Sequence, residues 1–276
     1  MISGSSDQGA LSKGLRLGPL ELRLVDSEAE LQAVQRLRFR VFYKEMKARP
    51  TPRMTELERD FDTFDDICEH LIVRDTTQDG DAAVVATMRL LRRSVLGHAC
   101  TFYTAGEFDI SRLLAIDGEL VELGRSCVDM NYRAGAAIQA LFRGLGAYVV
   151  QHDIAFMFGC ASLHGTDPDS LALPLSHMAY HLAAPAALRP RALDHLYVDM
   201  KRLAPGTFDT SEGLASLPPL IKGYARAGCR FGDGAVIDHQ FNTTDVCVLL
   251  DVSVVEGRYG RRYRGDGEAG TGPGGA

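Results

Sequence analysis

The stretch Glu122-Leu123-Gly124-Arg125-Ser126-Cys127-Val128, with the turn Tyr132-Arg133-Ala134-Gly135-Ala136-Ala137 behind it, decides the fold. Leu120 to Val128 reads as a strand, and after the turn Ile138, Leu141, Phe142, Leu145 and Val149 recur on one helical face. Ile154 to Cys160 is a short apolar run suited to a buried strand. Strand, glycine-bearing turn, helix and strand make a βαβ unit, whose two strands are expected to pair in parallel. The class implied is α/β, with α+β character around a mixed central sheet.

The turn aims free backbone N–H groups and the positive end of a helix dipole at one point, so an anion is expected near Arg133, Gly135 and Ala137. The loop is too thin for a Walker or GxGxxG cradle and suits a single phosphate better than a diphosphate. A tight βα turn without a ligand is the other reading. Glu122 and Arg125 lie three positions apart, and simple alternation puts them on opposite faces. A bulge at Gly124 changes that, because strand glycines often mark bulges. A surface ion pair is the alternative. Cys127, in a buried strand with no histidine placed beside it, is expected to be inert packing.

Toward the N-terminus, Leu20, Leu22 and Leu24 alternate as a strand, and Asp26 or Ser27 can cap the following helix. In that helix Arg38 shares the apolar side with Val34, Val41 and Phe42. It either lays its stem over the core with its head in solvent or supplies a fixed charge in a cleft. Residues 47–64 are polar, and Pro50 and Pro52 resist helix, so a mobile loop is expected. Asp62 and Asp65 there form either a solvated face or a recognition site for a cation. Strands are predicted at Leu71 to Arg74 and Ala82 to Leu91, joined by the turn Gln78-Asp79-Gly80. Arg89, on an apolar strand, needs a carboxylate partner, for which Asp62 and Asp65 are the candidates.

Toward the C-terminus, Leu217 to Gly228 reads as a helix and Val246 to Val255 as a strand. Asp245, with Asp238, Asn242, Thr243 and Thr244, is polar text before a buried strand and could line an acceptor pocket. Residues 1–18 read as a flexible tail, 19–256 as one domain with a C-terminal extension, and 257–276 as a basic and then glycine-rich tail. Arg258, Arg261, Arg262 and Arg264 suit peripheral contact with an anionic membrane.

The 276 residues, 46% hydrophobic and 24% charged, suit one globular core. A net charge of −6 argues against a nucleic-acid partner. Six cysteines at irregular spacing read as reduced thiols with no metal, in a cytoplasmic protein. No apolar run approaches the ~20 residues that cross a bilayer.

These positions resemble two related families. Arg38, Phe42, Asp62, Asp65, Arg89, Glu122 and Arg125 together resemble the pattern of acyl-homoserine-lactone synthases. From about Leu22 to Val255 the chain also resembles the bacterial L-ornithine N(alpha)-acyltransferases of ornithine-lipid synthesis. The segments that carry this are Leu37 to Phe42, Glu122 to Val128, Tyr132 to Ala136, Phe158 to Ser162 with Gly165-Thr166-Asp167, Leu217 to Tyr224, and Phe241 to Val246. The second resemblance covers more of the chain.

It implies a GNAT-like N-acyltransferase fold and transfer of a 3-hydroxyacyl group from acyl carrier protein to the α-amine of L-ornithine, with no tightly bound cofactor. Under it, Glu122 and Arg125 are catalytic, with Glu122 as the base. Cys127, Val128, Arg133, Gly135 and Ala137 hold the acyl-phosphopantetheine donor. Arg38, Asp62, Asp65, Arg89 and Asp245 hold the acceptor. A lactone-synthase-like enzyme with another amine acceptor, or a non-catalytic module that binds acyl carrier protein or lipid, are the competing readings.

Overall fold

Alternation in Leu20-Glu21-Leu22-Arg23-Leu24 sends Leu22 into the core, fully buried, and builds strand β2 (Leu20–Leu24) beside a short β1 (Leu15–Leu17). A computed structural model describes residue 11 and residues 14–97, 101–133 and 135–254. Strand β1 falls inside the stretch 1–18 expected to be a tail, because β2 is there to pair with it. The expected 257–276 tail and its arginines lie outside the described residues.

Ser27 caps helix α1 (Glu28–Phe39) by accepting the Glu30 N–H, and α1 runs on into a π-helical turn at Arg40–Glu45. The loop expected at 47–64 instead contains a short helix and ends in a 3-10 turn. Thr51 accepts the Met54 N–H and Pro52 opens helix α2 (Pro52–Leu57), where a proline loses no hydrogen bond. Strands β3 (Glu69–Asp75) and β4 (Val84–Arg92) follow as the expected antiparallel pair.

Next come β5 (Phe108–Asp109), α3 (Ser111–Leu114), β6 (Glu119–Val128), α4 (Ala136–Gln151) and β7 (Ile154–His164). Strands β6 and β7 pair in parallel around α4, as the sequence predicts. The remainder is α5 (Ala172–His181), β8 (Arg191–Ala192), α6 (Thr210–Ser216), α7 (Pro219–Ala227), β9 (Arg230–Asp238) and β10 (Thr243–Asp251). Strand β10 ends earlier than the expected Val255, with a helical turn at 252–254.

One sheet of ten strands results, in the order β1-β2-β3-β4-β6-β7-β10-β9-β8-β5. Its first half is covered on both faces. Helix α4 packs Leu141, Leu145 and Tyr148 over Leu22, Leu71, Val73 and Val121. On the opposite face α1 packs Val34 and Leu37 over Ile72, Val84 and Cys127. Because Leu71 and Val73 face one helix and Ile72 the other, β3 is buried on both sides. Each fully buried leucine here contributes roughly 1.5–3 kcal/mol. No helix among the described residues is long and apolar enough to cross a membrane.

Candidate active site

The parallel pairing of β6 with β7 ends at Glu122↔Phe158, although β6 continues to Val128 and β7 to His164. Each strand stays with its outer neighbour, β6 with β4 to Val128 and β7 with β10 to His164. The two facing edges therefore open into a slot where backbone groups have no strand partner. The Asp129 N–H donates to the Val85 carbonyl. By alternation the Cys127 N–H also turns to β4, and the Val128 N–H faces the slot.

A bulge is present, but it lies past Gly124, at Arg125 and Ser126, rather than between Glu122 and Arg125. Between the pairs Thr87↔Cys127 and Arg89↔Gly124, β6 holds one residue more than β4. The left-handed residue is Arg125, at φ 48, rather than Gly124. That conformation costs a non-glycine residue roughly 1–2 kcal/mol, and the Arg125 head-group contacts offset it. Its guanidinium lies 3.2 Å from Asp62 and 3.6 Å from Asp60, over the rings of Tyr103 at 5.1 Å and Phe241 at 4.8 Å.

Arg38, fully buried, reaches neither solvent nor an open cleft. It pairs with Asp65 at 2.6 Å and Asp60 at 2.8 Å, and donates to the Asp60 carbonyl. Arg89 pairs with Asp62 at 2.6 Å and Asp65 at 2.9 Å, the carboxylates expected for it. Arg38, Arg89 and Arg125 with Asp60, Asp62 and Asp65 thus form one internally neutral network beneath the bulge. Burial acts to raise the Asp65 pKa, but the Arg38 guanidinium prevails and holds this carboxyl well below its usual range. Asp65 is thus not part of a solvated face but, like Asp60, a buried counter-charge, whereas Glu58 and Asp66 are exposed.

Glu122 is buried and accepts the backbone N–H groups of Tyr103, at 2.9 Å, and Thr104, at 2.6 Å. It therefore pins the 3-10 turn Tyr103–Gly106 against the slot. Burial raises its pKa, while those N–H bonds oppose the rise. Tyr103 meets both residues of the Glu-x-x-Arg pair, Glu122 through its N–H and Arg125 over its ring.

The same turn delivers Glu107, which sequence reasoning missed. Its carboxylate comes within 4.8 Å of those of Asp238 and Asp245. Burial, and then Asp245, push the Glu107 pKa up to about 7. Burial likewise raises Asp245 to about 6. Cys160 donates its thiol to Glu107 at 3.4 Å. Neither Glu107 nor Tyr103 sits in a periodic pattern, so only the folded turn reveals them.

At the other end of the slot Arg133 donates to the Val128 carbonyl at 3.0 Å and pairs with Glu45. Gly135 begins α4 with no side-chain cap, which leaves helix N–H groups available there. Gly135 and Ala137 also line a shallow hollow with Leu17 and Asp75. The Cys127 thiol is buried, and burial pushes its pKa up to about 12, in line with the expectation of inert packing.

A parallel pair that opens beside buried carboxylates is the frame of a GNAT-class acyltransferase, and a family model described as "Acetyltransferase (GNAT) domain" matches residues 37–143. An L-ornithine N(alpha)-acyltransferase of Agrobacterium fabrum is 43% identical over 97% of this chain and 94% of its own length. Another from Rhizobium meliloti is 42% identical over 91% of this chain and 86% of its own. The chain belongs to the L-ornithine N(alpha)-acyltransferase family. Among solved structures, FeeM, an N-acyl amino acid synthase from uncultured soil microbes, aligns with a TM-score of 0.47 at 11% identity. That alignment covers 86% of this chain and 93% of FeeM.

Proposed function

We propose that this protein transfers a 3-hydroxyacyl group from acyl carrier protein to the α-amine of L-ornithine, leaving an amide and a free phosphopantetheine thiol. The observation that carries this reading is the slot opened at Glu122↔Phe158, which offers unpaired backbone to an extended thioester arm. The Val128 N–H donates to the arm or to the thioester oxygen as negative charge develops there. Arg125, three positions before Val128 on the same strand and held over the Tyr103 ring, adds positive charge. Arg133 and the uncapped N–H groups after Gly135 receive the single phosphodiester of the carrier arm.

An ammonium has no lone pair for attack, so one proton must leave first. Glu122 takes it, directly or through water. An ionised carboxylate has about four acceptor sites, and the two backbone N–H groups occupy two of them. The amine then attacks the thioester carbon, the C–N bond forms and the C–S bond breaks. The thiolate leaves and takes up the proton that Glu122 holds, which restores the carboxylate, and the second amine proton is released to solvent. Arg38, Arg89, Asp62 and Asp65 serve this site as its charged floor and keep the bulge in place.

The test mixes purified protein, 3-hydroxyacyl carrier protein and L-ornithine, and follows thiol release and product mass. Ornithine-dependent release supports the reading, and carrier binding without release favours a non-catalytic module. Turnover that requires S-adenosylmethionine favours a lactone-synthase-like enzyme. Glu122→Gln is expected to lower turnover by roughly 10²-fold while carrier binding persists. Full turnover at neutral pH removes Glu122 as the base.

A further inference from the structure

Three carboxylates converge beside the slot, and none of them forms an ion pair among the described residues. Glu107 arrives on the turn pinned by Glu122, Asp238 ends β9, and Asp245 lies near the start of β10, all within 4.8 Å of one another. Asp245 is only 5% exposed, yet its Oδ1 has no hydrogen-bond partner. A buried anionic oxygen left unpaired is costly unless a ligand completes it. Nearby arginines are committed elsewhere, Arg125 to Asp60 and Asp62, and Arg89 to Asp62 and Asp65.

We propose that Glu107, Asp238 and Asp245 form the pocket for the second, side-chain ammonium of the acceptor, so that the protein selects a diamino acid over α-amino acids with uncharged side chains. This rests on the ornithine reading above. A primary ammonium presents three N–H donors and no acceptor, which matches three convergent carboxylates. Burial is the main reason that Glu107 and Asp245 hold protons more tightly, and neighbouring carboxylates add to it, Asp245 and Asp238 at Glu107 and Asp238 at Asp245, an opposition that an entering cation relieves. The pocket lies next to Tyr103, whose N–H is held by Glu122. One acceptor molecule can thus place its second ammonium among the carboxylates with its reacting amine toward Glu122.

L-Ornithine and L-norvaline, which lacks only the terminal amine, separate the pocket from the rest of the site. Wild-type protein with a 3-hydroxyacyl carrier protein donor is expected to favour ornithine by roughly 10²-fold or more in kcat/KM, the scale of a lost buried polar partner. Asp245→Asn should reduce the ornithine value by a comparable factor and lower the ratio of ornithine to norvaline with it, while an unchanged thermal melt serves as the folding control. Glu107→Gln, at a half-buried position, should shift the same ratio. Calorimetric binding of both amino acids to the protein without donor runs in parallel. An ornithine preference in binding without any turnover supports the pocket and overturns the transfer reading alone. Equal binding of ornithine and norvaline, or an Asp245→Asn loss that falls equally on both, overturns the pocket. So does Mg²⁺ or Ca²⁺ binding that Asp245→Asn abolishes while the ornithine preference stays intact, because the trio is then a metal site.

Discussion

Arg38 and Asp65 meet in full burial, the guanidinium donating to both carboxylate oxygens at 3.0 and 2.6 Å, 27 residues apart in the chain. The pair ties the end of α1 to the 3-10 turn at Thr63–Asp66, and through Asp65 it reaches Arg89 on β4. Helix, turn and sheet thus share one electrostatic joint beneath the slot. Removing one member leaves a buried charge without compensation, which costs about 3–5 kcal/mol. Asp65→Asn and Arg38→Leu should each lose that much in urea unfolding. Arg38→Lys should not rescue it, because an ammonium cannot reproduce the two-pronged contact. A loss under about 1 kcal/mol in both variants contradicts the joint.

His70 lies on β3 against the same joint, its Nε2 4.0 Å from Asp65 and neither ring nitrogen hydrogen-bonded. Burial, and then the Arg38 charge, lower its pKa to about 4, with Arg89 acting the same way and Asp65 opposing. The folded state therefore refuses a proton that the unfolded chain accepts below about 6.5. Stability from this residue is complete above that pH and is lost as pH falls toward 4. The sum is about 3 kcal/mol, at 1.36 kcal/mol per tenfold change in proton affinity. Asp65, also depressed, has its own window lower, with stability lost as pH falls below about 3.9. Glu107 and Asp245, whose affinity for protons is raised on folding, act in the opposite direction over the same range, so the His70 contribution is read as a difference: between pH 6.5 and 4.5 the urea midpoint of wild type should drop relative to that of His70→Leu, giving the two proteins different slopes. Parallel slopes in both proteins rule the assignment out.

The parts of the fold legible in the sequence are those with strong periodicity. The β6–α4–β7 unit and the β3–β4 pair stand as expected because one face, or both, must be apolar. A bulge in β6 was legible too, but its place, at Arg125 and Ser126 rather than at Gly124, was not. Glycine propensity points to Gly124, whereas the Arg125 contacts with Asp60, Asp62 and two rings hold the arginine in the left-handed conformation. Strand β9 hides behind Gly232, Asp233 and Gly234, which local propensity reads as turn. Gly234 is needed there because its φ of +80 disfavours a side chain. The network and the carboxylate trio were legible only in part: the sequence singles out Arg89 with Asp62 and Asp65, and Asp238 with Asp245, whereas Asp60 and Glu107 join partners far away in the chain, and no spacing rule records such contacts.

Transfer without a cysteine intermediate follows from the position of Cys127. Its thiol is 6% exposed, faces the α1 side of the sheet, and is pushed by burial up to about 12, so almost none is thiolate near neutrality. Cys127→Ala is expected to retain turnover within about threefold. Intact-mass spectra of wild type incubated with acyl donor alone should show no added acyl group. An acyl adduct that disappears in Cys127→Ala would falsify direct transfer.

The slot itself depends on Gly159, the first β7 residue past the last parallel pair. A Cβ there would sit 2.3 Å from the Leu123 carbonyl oxygen, a backbone atom that cannot swing away. Gly159→Ala must therefore push β6 from β7 where the slot begins, and such overpacking typically costs 1–3 kcal/mol. The displacement falls next to Glu122 and one strand residue from the bulge, so geometry there changes along with stability. Misplacement of about 1 Å is enough to reduce a positioned reaction by roughly 10²-fold. Gly106→Ala is the matched control, since a Cβ at Gly106 meets nothing within 4 Å. Thermal melts and thiol-release rates should separate the two variants, with Gly159→Ala impaired in both and Gly106→Ala close to wild type. A fully active Gly159→Ala protein implies that the slot tolerates a wider opening than the contact with Leu123 allows.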